Sequence, residues 1–202
     1  MDFVDELAAR LPKLSACACD IRLAFDVLLG CYRNGGKVLT CGNGGSAADS
    51  EHIVGELLKS FRRRRPVPAD IAAQLPPELS AKLEGALPAV SLVSMSGIVT
   101  AFANDVAWET AFAQQVLGLG RSGDVLVALS TSGNSANCVA AAQVAKAKGM
   151  KVVALTGAGG GRLAALADAA ICVPETETYL VQELHLPVYH ALCAALETAM
   201  FV

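Results

Sequence analysis

Two short segments carry the residue types from which an anion site can be built. "VLTCGNGGSAAD" (38–49) and "LVALSTSGNSAN" (126–137) each run from an apolar stretch through a Gly/Ser loop into an Ala-rich stretch. Backbone N–H groups at a helix start, together with the positive end of the helix dipole, hold an anion. The hydroxyls of Ser46, Ser130, Thr131, Ser132 and Ser135 add donors suited to the oxygens of a phosphate ester. Neither loop follows GxxxxGK[ST] or GxGxxG, which disfavours a nucleoside triphosphate or a dinucleotide, so no nucleotide cofactor is expected. The same residue types also serve as plain N-caps and turns, but two loops of one design weigh toward the anion. The three glycines of "CGNGGS" forfeit backbone entropy that an ordinary turn keeps. Something must approach the main chain closely there.

A second group is set by helical spacing. His52 and Glu56 are four residues apart, so about 40° apart on one face of a helix. Gln182 and His190, eight apart, differ by about 80°, whereas His185 points about 140° away from His190. The plain alternative for His52 and Glu56 is an exposed i,i+4 pair, and for His185 a core or interface histidine.

To bring these groups together the chain needs a scaffold, and its pattern describes one. Short Val- and Leu-rich runs recur as "KVLTC", "AVSLVS", "DVLVALS", "KVVALTG" and "AAICVP", with helical stretches between most of them. That alternation predicts an α/β fold, a three-layer sandwich whose five-stranded parallel sheet is flanked by helices. Residues 1–33 read as an N-terminal helical arm of two helices broken near Pro12. Residues 62–88 hold five of the eight prolines and read as a Pro/Arg-rich excursion within one domain spanning 1–202. Its Arg62–Arg65 run reads as a solvated charge run, with anion binding the alternative.

Composition excludes several classes. With 53% hydrophobic and 17% charged residues, either the sheet is buried on both faces or apolar surface meets another subunit. A net charge of −3 makes no electrostatic case for nucleic acid or an anionic membrane. No apolar run reaches the roughly 18–20 residues of a membrane helix, and "MDFVDELAARL" is acidic, unlike a signal peptide. The seven cysteines are odd in number and lack a CxxC pair, so reduced thiols and a cytoplasmic location are expected.

The segments "CGNGGSAADSEH", "STSGNSAN" and "QELHLPVYH" resemble the sugar isomerase (SIS) domain and, within it, the phosphoheptose isomerases. The resemblance covers nearly the whole chain except 62–88. It implies a cytosolic homotetramer with active sites between subunits. The implied substrate is a phosphorylated sugar, sedoheptulose 7-phosphate, isomerised to D-glycero-D-manno-heptose 7-phosphate. That chemistry needs a base, an acid and oxyanion stabilisation. By the same resemblance, Asn43, Gly44, Gly45 and Ser46 contact the substrate, the two glycines letting its phosphate lie against the backbone. Glu56 and His190 match the acid/base pair. His52, Glu56, Gln182 and His190 match positions that hold one zinc ion per subunit in some members, although glutamine is a poor zinc ligand. Asn104 and Asp105 match an acidic loop that contacts sugar hydroxyls, the alternative being an Asx turn that caps a helix beginning near Val106.

The chain departs from the family at Tyr179-Leu180, where Asp-Arg is common, and at Ser60, where an arginine is common, with Lys59 and Arg62 nearby. Pro187 is expected to bend the last helix. A non-catalytic branch of the family binds a replication initiator and lacks the acid/base pair, which is present here. A third branch senses sugar phosphates and is usually fused to a DNA-binding segment, of which no sign is read in these 202 residues.

Overall fold

Why the apolar runs become strands is visible in where their side chains go. In the computed structural model, which describes residues 3–201, β1 (Val38–Cys41), β2 (Ala89–Ser91), β3 (Val125–Leu129), β4 (Lys151–Thr156) and β5 (Ala169–Cys172) form one parallel sheet. Residues 1–2 of the expected arm, and residue 202, lie outside the described residues. Alternate strand positions face opposite layers. Val38, Val125, Val127, Leu129, Val153, Leu155 and Ile171 meet one layer. Leu39, Cys41, Leu126, Ala128, Val152 and Ala154 meet the other. Both faces are covered, which is why these strands read as continuous apolar runs. Each fully buried Val or Leu contributes about 1.5–3 kcal/mol.

The first layer holds α1 (Phe3–Arg10), α2 (Ala18–Arg33), α3 (Gly45–Leu58) and the long α10 (Thr178–Met200). A 3-10 helix, Pro12–Cys17, separates α1 from α2, the break expected at Pro12. Val4, Leu7, Leu14 and Ile21 bury the arm in the core, so it is an integral part of this layer. Between α3 and β2, the 62–88 segment carries two single-turn helices, α4 (Ala69–Ala72) and α5 (Pro77–Ser80). The second layer holds α6 (Ser96–Asp105), α7 (Ala111–Leu119), α8 (Ala136–Ala147) and α9 (Gly161–Leu166). Among the described residues no helix is long and apolar enough to cross a membrane. All seven cysteines are free thiols.

The arginine run is corrected at its last member. Arg65 is fully buried, its Nε 2.8 Å from Glu197 Oε1 near the end of α10. Its other nitrogens donate to the carbonyls of Leu57 (2.6 Å) and Glu56 (2.8 Å), capping the C-terminus of α3. Glu197 also accepts the backbone N–H groups of Phe61, Arg62 and Arg63. A buried charge persists only where its hydrogen-bonding capacity is met, and this pair is met by backbone on both sides. Pro187 is accommodated inside α10, which is helical from Thr178 to Met200.

The strand order β2-β1-β3-β4-β5 decides where a ligand can settle. β1 and β3 are neighbours, paired in register from Val38 opposite Val125 to Cys41 opposite Ala128. The chain leaves β1 toward the first layer (α3) and leaves β3 toward the second (α8). Such a divergence opens a crevice at the carboxyl ends of the two strands. Both Gly/Ser loops lie at that point.

Candidate active site

The crevice is a cavity of about 340 Å³. Asn43, Gly44, Gly45 and Ser46 line it from the loop after β1; Ser130, Thr131 and Ser135 line it from the loop after β3. Thr178 and Gln182 close it from the start of α10. Three helices, α3, α8 and α10, begin at this cavity, and none of their N-cap residues makes a side-chain cap, although Asn137 Oδ1 takes the Cys138 N–H in the first turn of α8. Their free N–H groups and dipoles concentrate positive potential in one place. The Ser130 and Ser135 hydroxyls are hydrogen-bonded to each other at 2.9 Å, which leaves one hydrogen of the pair for a ligand.

The glycines have separate reasons. Gly44 sits at φ +57°, in the left-handed region that favours glycine. Gly45 is required by a side chain of the protein itself. A Cβ there would lie 2.7 Å from Gln182 Nε2, so the amide of α10 occupies the space the missing side chain leaves. The close approach expected from "CGNGGS" is thus made at Gly45 by Gln182. A reciprocal amide pair then ties the two loops together: Asn43 Nδ2 donates to Asn137 Oδ1 (2.9 Å) and Asn137 Nδ2 to Asn43 Oδ1 (2.8 Å).

A second cluster forms farther along the same two helices. His52 Nε2 lies 3.3 Å from Glu56 Oε1 and 3.4 Å from His190 Nε2. Glu56 Oε2 accepts from Lys59 Nζ at 3.0 Å. On the other side of the ring, His52 Nδ1 is 3.0 Å from the Tyr189 hydroxyl, which donates to Asp49 Oδ1 at 3.1 Å. Burial, then the charge of His52, holds His190 below the ordinary imidazole value, so it is neutral near pH 7. Burial, then the Asp49 carboxylate, drives the Tyr189 hydroxyl well above an ordinary phenol. Phe61 and Arg62 stand beside His190 in a cavity of about 370 Å³ whose far wall is Phe3, Glu6, Leu7 and Arg10 of α1.

Not every residue named from the sequence gathers in these two places. Ser132 is exposed, its hydroxyl accepting the N–H of Asn134 at 3.2 Å, outside the cavity lining. Asn104 and Asp105 are exposed in the last turn of α6, where Asn104 Nδ2 donates to Asp105 Oδ1. No helix begins near Val106, which instead ends α6; the regular structure that follows is a 3-10 helix, Trp108–Thr110. The "FAND" residues complete a helix, so the capping alternative does not hold. His185 is the core histidine expected, fully buried with Nε2 3.2 Å from the Thr156 carbonyl and its pKa pushed by burial to about 4. Asn137, Tyr189 and Asp49 went unnoticed in the sequence, and Arg65 reads there only as part of a solvated run, since each matters through a partner far along the chain. Ser60, at the departure from the family, uses its hydroxyl to accept the Arg65 N–H.

The four zinc positions divide between the two sites. His52, Glu56 and His190 converge, but the Gln182 amide lies against Gly45, eight residues or about 12 Å of helix rise from His190. Among the described residues no three His, Cys, Asp or Glu side chains are arranged to hold a metal ion. As arranged, the four donors do not fit a single tetrahedral ion.

Comparison with known proteins bears on the family and the fold. The SIS-domain family matches residues 2–86 and 83–157. Phosphoheptose isomerase from Rhodospirillum rubrum is 42% identical over 188 residues, covering 93% of this chain and 90% of that protein. The structure of phosphoheptose isomerase from Neisseria gonorrhoeae superposes with a TM-score of 0.77 at 35% identity, covering 97% of this chain and 95% of the other. That of a phosphoheptose isomerase from Francisella tularensis gives 0.79 at 32% identity, over 94% and 91% of the two chains.

Proposed function

The chain belongs to the SIS-domain family and, within it, to the phosphoheptose isomerases, and we propose that it interconverts sedoheptulose 7-phosphate and D-glycero-D-manno-heptose 7-phosphate. The observation that carries this reading is the separation of the two sites along α3 and α10. Three helix starts face one cavity, and about 12 Å farther along α10, by helix rise, lies the Glu56–His52–His190 cluster. In this reading the ester of the seven-carbon monophosphate occupies the cavity and its C1 and C2 extend toward Glu56.

In this reading Glu56 takes the C1 proton of the ketose as a carboxylate base, and the released electron pair forms the C1–C2 double bond. The carbonyl oxygen at C2 gains a proton and becomes the second hydroxyl of the enediol. Return of a proton to C2, with loss of the O1 proton, leaves the aldehyde at C1. His190, neutral near pH 7, both accepts and donates at these oxygens. Substrate and product are isomers, so no oxidant, reductant or third reactant is needed. Exchange of the C1 or C2 hydrogen in D2O, measured on a panel of pentose, hexose and heptose phosphates, tests the proposal. Fastest exchange is expected with the heptose ester. Binding without exchange on every member of the panel would favour a non-catalytic phosphosugar-binding protein.

The homotetramer with active sites between subunits is part of the proposal. Val106, Trp108 and Leu117 are 65%, 46% and 54% exposed, an apolar surface suited to another subunit. Light scattering that returned a stable monomer at micromolar concentration would defeat this part. Cytoplasmic residence is supported by the seven free thiols.

A further inference from the structure

We infer that His185 is a positioning residue for the ligand cavity. Its bond to the Thr156 carbonyl seats the first half of α10, and with it Thr178 and Gln182, on the end of β4, across the break that Pro187 leaves in the helix. The consequence for binding rests on the cavity holding a sugar phosphate, as proposed above; the seating does not.

α10 consists of two segments with unequal support. Pro187 has no N–H, so the Glu183 carbonyl lacks a donor four residues on and the ladder is interrupted between the halves. Beyond that point the helix buries Val188, Tyr189, Leu192, Cys193, Leu196 and Glu197. Before it only Val181 and His185 are buried, and Tyr179 is 62% exposed. Yet this first half carries the two residues that close the cavity. Apolar burial is non-directional, so two buried side chains fix the rotation of a helix poorly. A hydrogen bond supplies the missing direction.

Both buried residues rest on the same place. His185 Nε2 is 3.2 Å from the carbonyl of Thr156, the last residue of β4. Val181 lies over the next residue, where a Cβ on Gly157 would come within 2.9 Å of Val181 Cγ2. The Gly157 N–H in turn donates at 2.9 Å to the carbonyl of Thr131, in the β3 loop that lines the cavity. One strand end thus holds two of the cavity walls.

The imidazole is there for its N–H. A carbonyl only accepts, so the ring hydrogen sits on Nε2 and the lone pair on Nδ1. Nδ1 is buried without a partner. An apolar side chain would fill the space without that unpaired atom, so the hydrogen bond is what a histidine adds here. The Thr156 carbonyl also accepts the Val173 N–H at 3.0 Å, so removing the imidazole orphans no acceptor.

The test combines amide hydrogen exchange along α10 with calorimetry and turnover on sedoheptulose 7-phosphate. In His185→Leu, exchange across 178–186 should quicken by about three- to tenfold while 188–200 is unchanged. Affinity for the heptose phosphate should fall by about three- to tenfold, with kcat within about twofold of the wild type. His185→Gln returns an N–H at similar reach and should recover most of the affinity. Adding Pro187→Ala to His185→Leu restores the backbone bond to Glu183 and should recover part of the protection. Unchanged exchange in 178–186, or equal quickening along the whole helix, overturns the inference. Quicker exchange there with unchanged affinity overturns the positioning role. If His185→Leu does not fold, Pro187→Ala alone decides: exchange across 178–186 should slow, and no change there sinks the two-segment arrangement. A segment that responds as expected, in a protein that binds no sugar phosphate, would defeat the isomerase reading and leave the seating intact.

Discussion

The Gly/Ser cavity at the strand ends and the Glu56–His52–His190 cluster share α3 and α10 but are made of different material. The cavity is built mostly from backbone: helix starts, two loops and glycines, with hydroxyls added. It lies where strand order forces adjacent chains apart, and the Asn43–Asn137 amide pair holds its rim. The cluster is built from side chains on two helices, and it depends on how those helices are rotated against each other. His52 is 41% exposed in its side chain while Glu56 is 12% exposed, so the cluster opens on one side. A backbone-made site tolerates the loss of one hydroxyl. A side-chain-made site does not tolerate the loss of its base. In the function proposed here, the difference also separates what binds from what reacts.

The sharpest way to break this contrast is Glu56→Gln, which keeps size and polarity but removes the base. Turnover should fall by about 10²–10⁴ while phosphate binding is nearly unchanged. Metal content and D2O exchange are to be measured on the same samples, because the resemblance also makes Glu56 a zinc position. A variant that exchanges substrate hydrogen at the wild-type rate would remove Glu56 from the mechanism and leave the role to His190.

The next effect concerns the frame that aims the cluster. Arg65→Met leaves Glu197 buried without its cation and uncaps the end of α3, so denaturant unfolding should report a loss of about 3–5 kcal/mol. A loss under about 1 kcal/mol would mean that the backbone donors satisfy Glu197 unaided.

For the cavity, Ser130→Ala with Ser135→Ala removes the hydroxyl pair that would meet a charged ester. Calorimetry with a phosphosugar should show affinity lower by about tenfold or more, with the fold intact. Ser132→Ala serves as the control: its hydroxyl accepts from Asn134 outside the cavity, and little change is expected. If Ser132→Ala cost as much as the pair, the ester would lie elsewhere on the loop.

The smallest effect is in acid. Burial pushes the Glu197 carboxyl up, but the N–H groups of Phe61 and Arg62 and the Arg65 guanidinium outweigh it and hold the group below the usual range. Its contribution to stability is therefore present above the unfolded carboxylate value of about 4.3. It is lost as pH falls through the lower folded value. Urea midpoints measured from pH 6 down to pH 3 should decline more for the wild type than for Arg65→Met. Parallel curves would contradict the coupling.

Several residues show why some features could be read early and others not. Two loops of glycine and serine after apolar runs announce a strand–loop–helix unit, because the chain alone decides each one. His52 and Glu56 announce themselves for the same reason, since i,i+4 neighbours share a face on any helix. The Asn43–Asn137 pair spans 94 residues, His52–Tyr189 spans 137 and Arg65–Glu197 spans 132. No local pattern marks such partners. The arginine run misled for that reason: four like charges look solvated until a distant glutamate and two helix carbonyls take one of them in.

By itself the sequence determined the five strands, the arm broken at Pro12, the two Gly/Ser loops at strand ends and the His/Glu face. All of these follow from the period of apolar residues and from turn chemistry, which act over a few residues. The tertiary structure alone decided that Gln182 fills the space at Gly45, that Ser132 stands apart from Ser130 and Ser135, and that Tyr189 and Asp49 hold His52. Those outcomes depend on how far one helix is turned and slid against another. Packing across the whole core sets that, and no short stretch of chain encodes it.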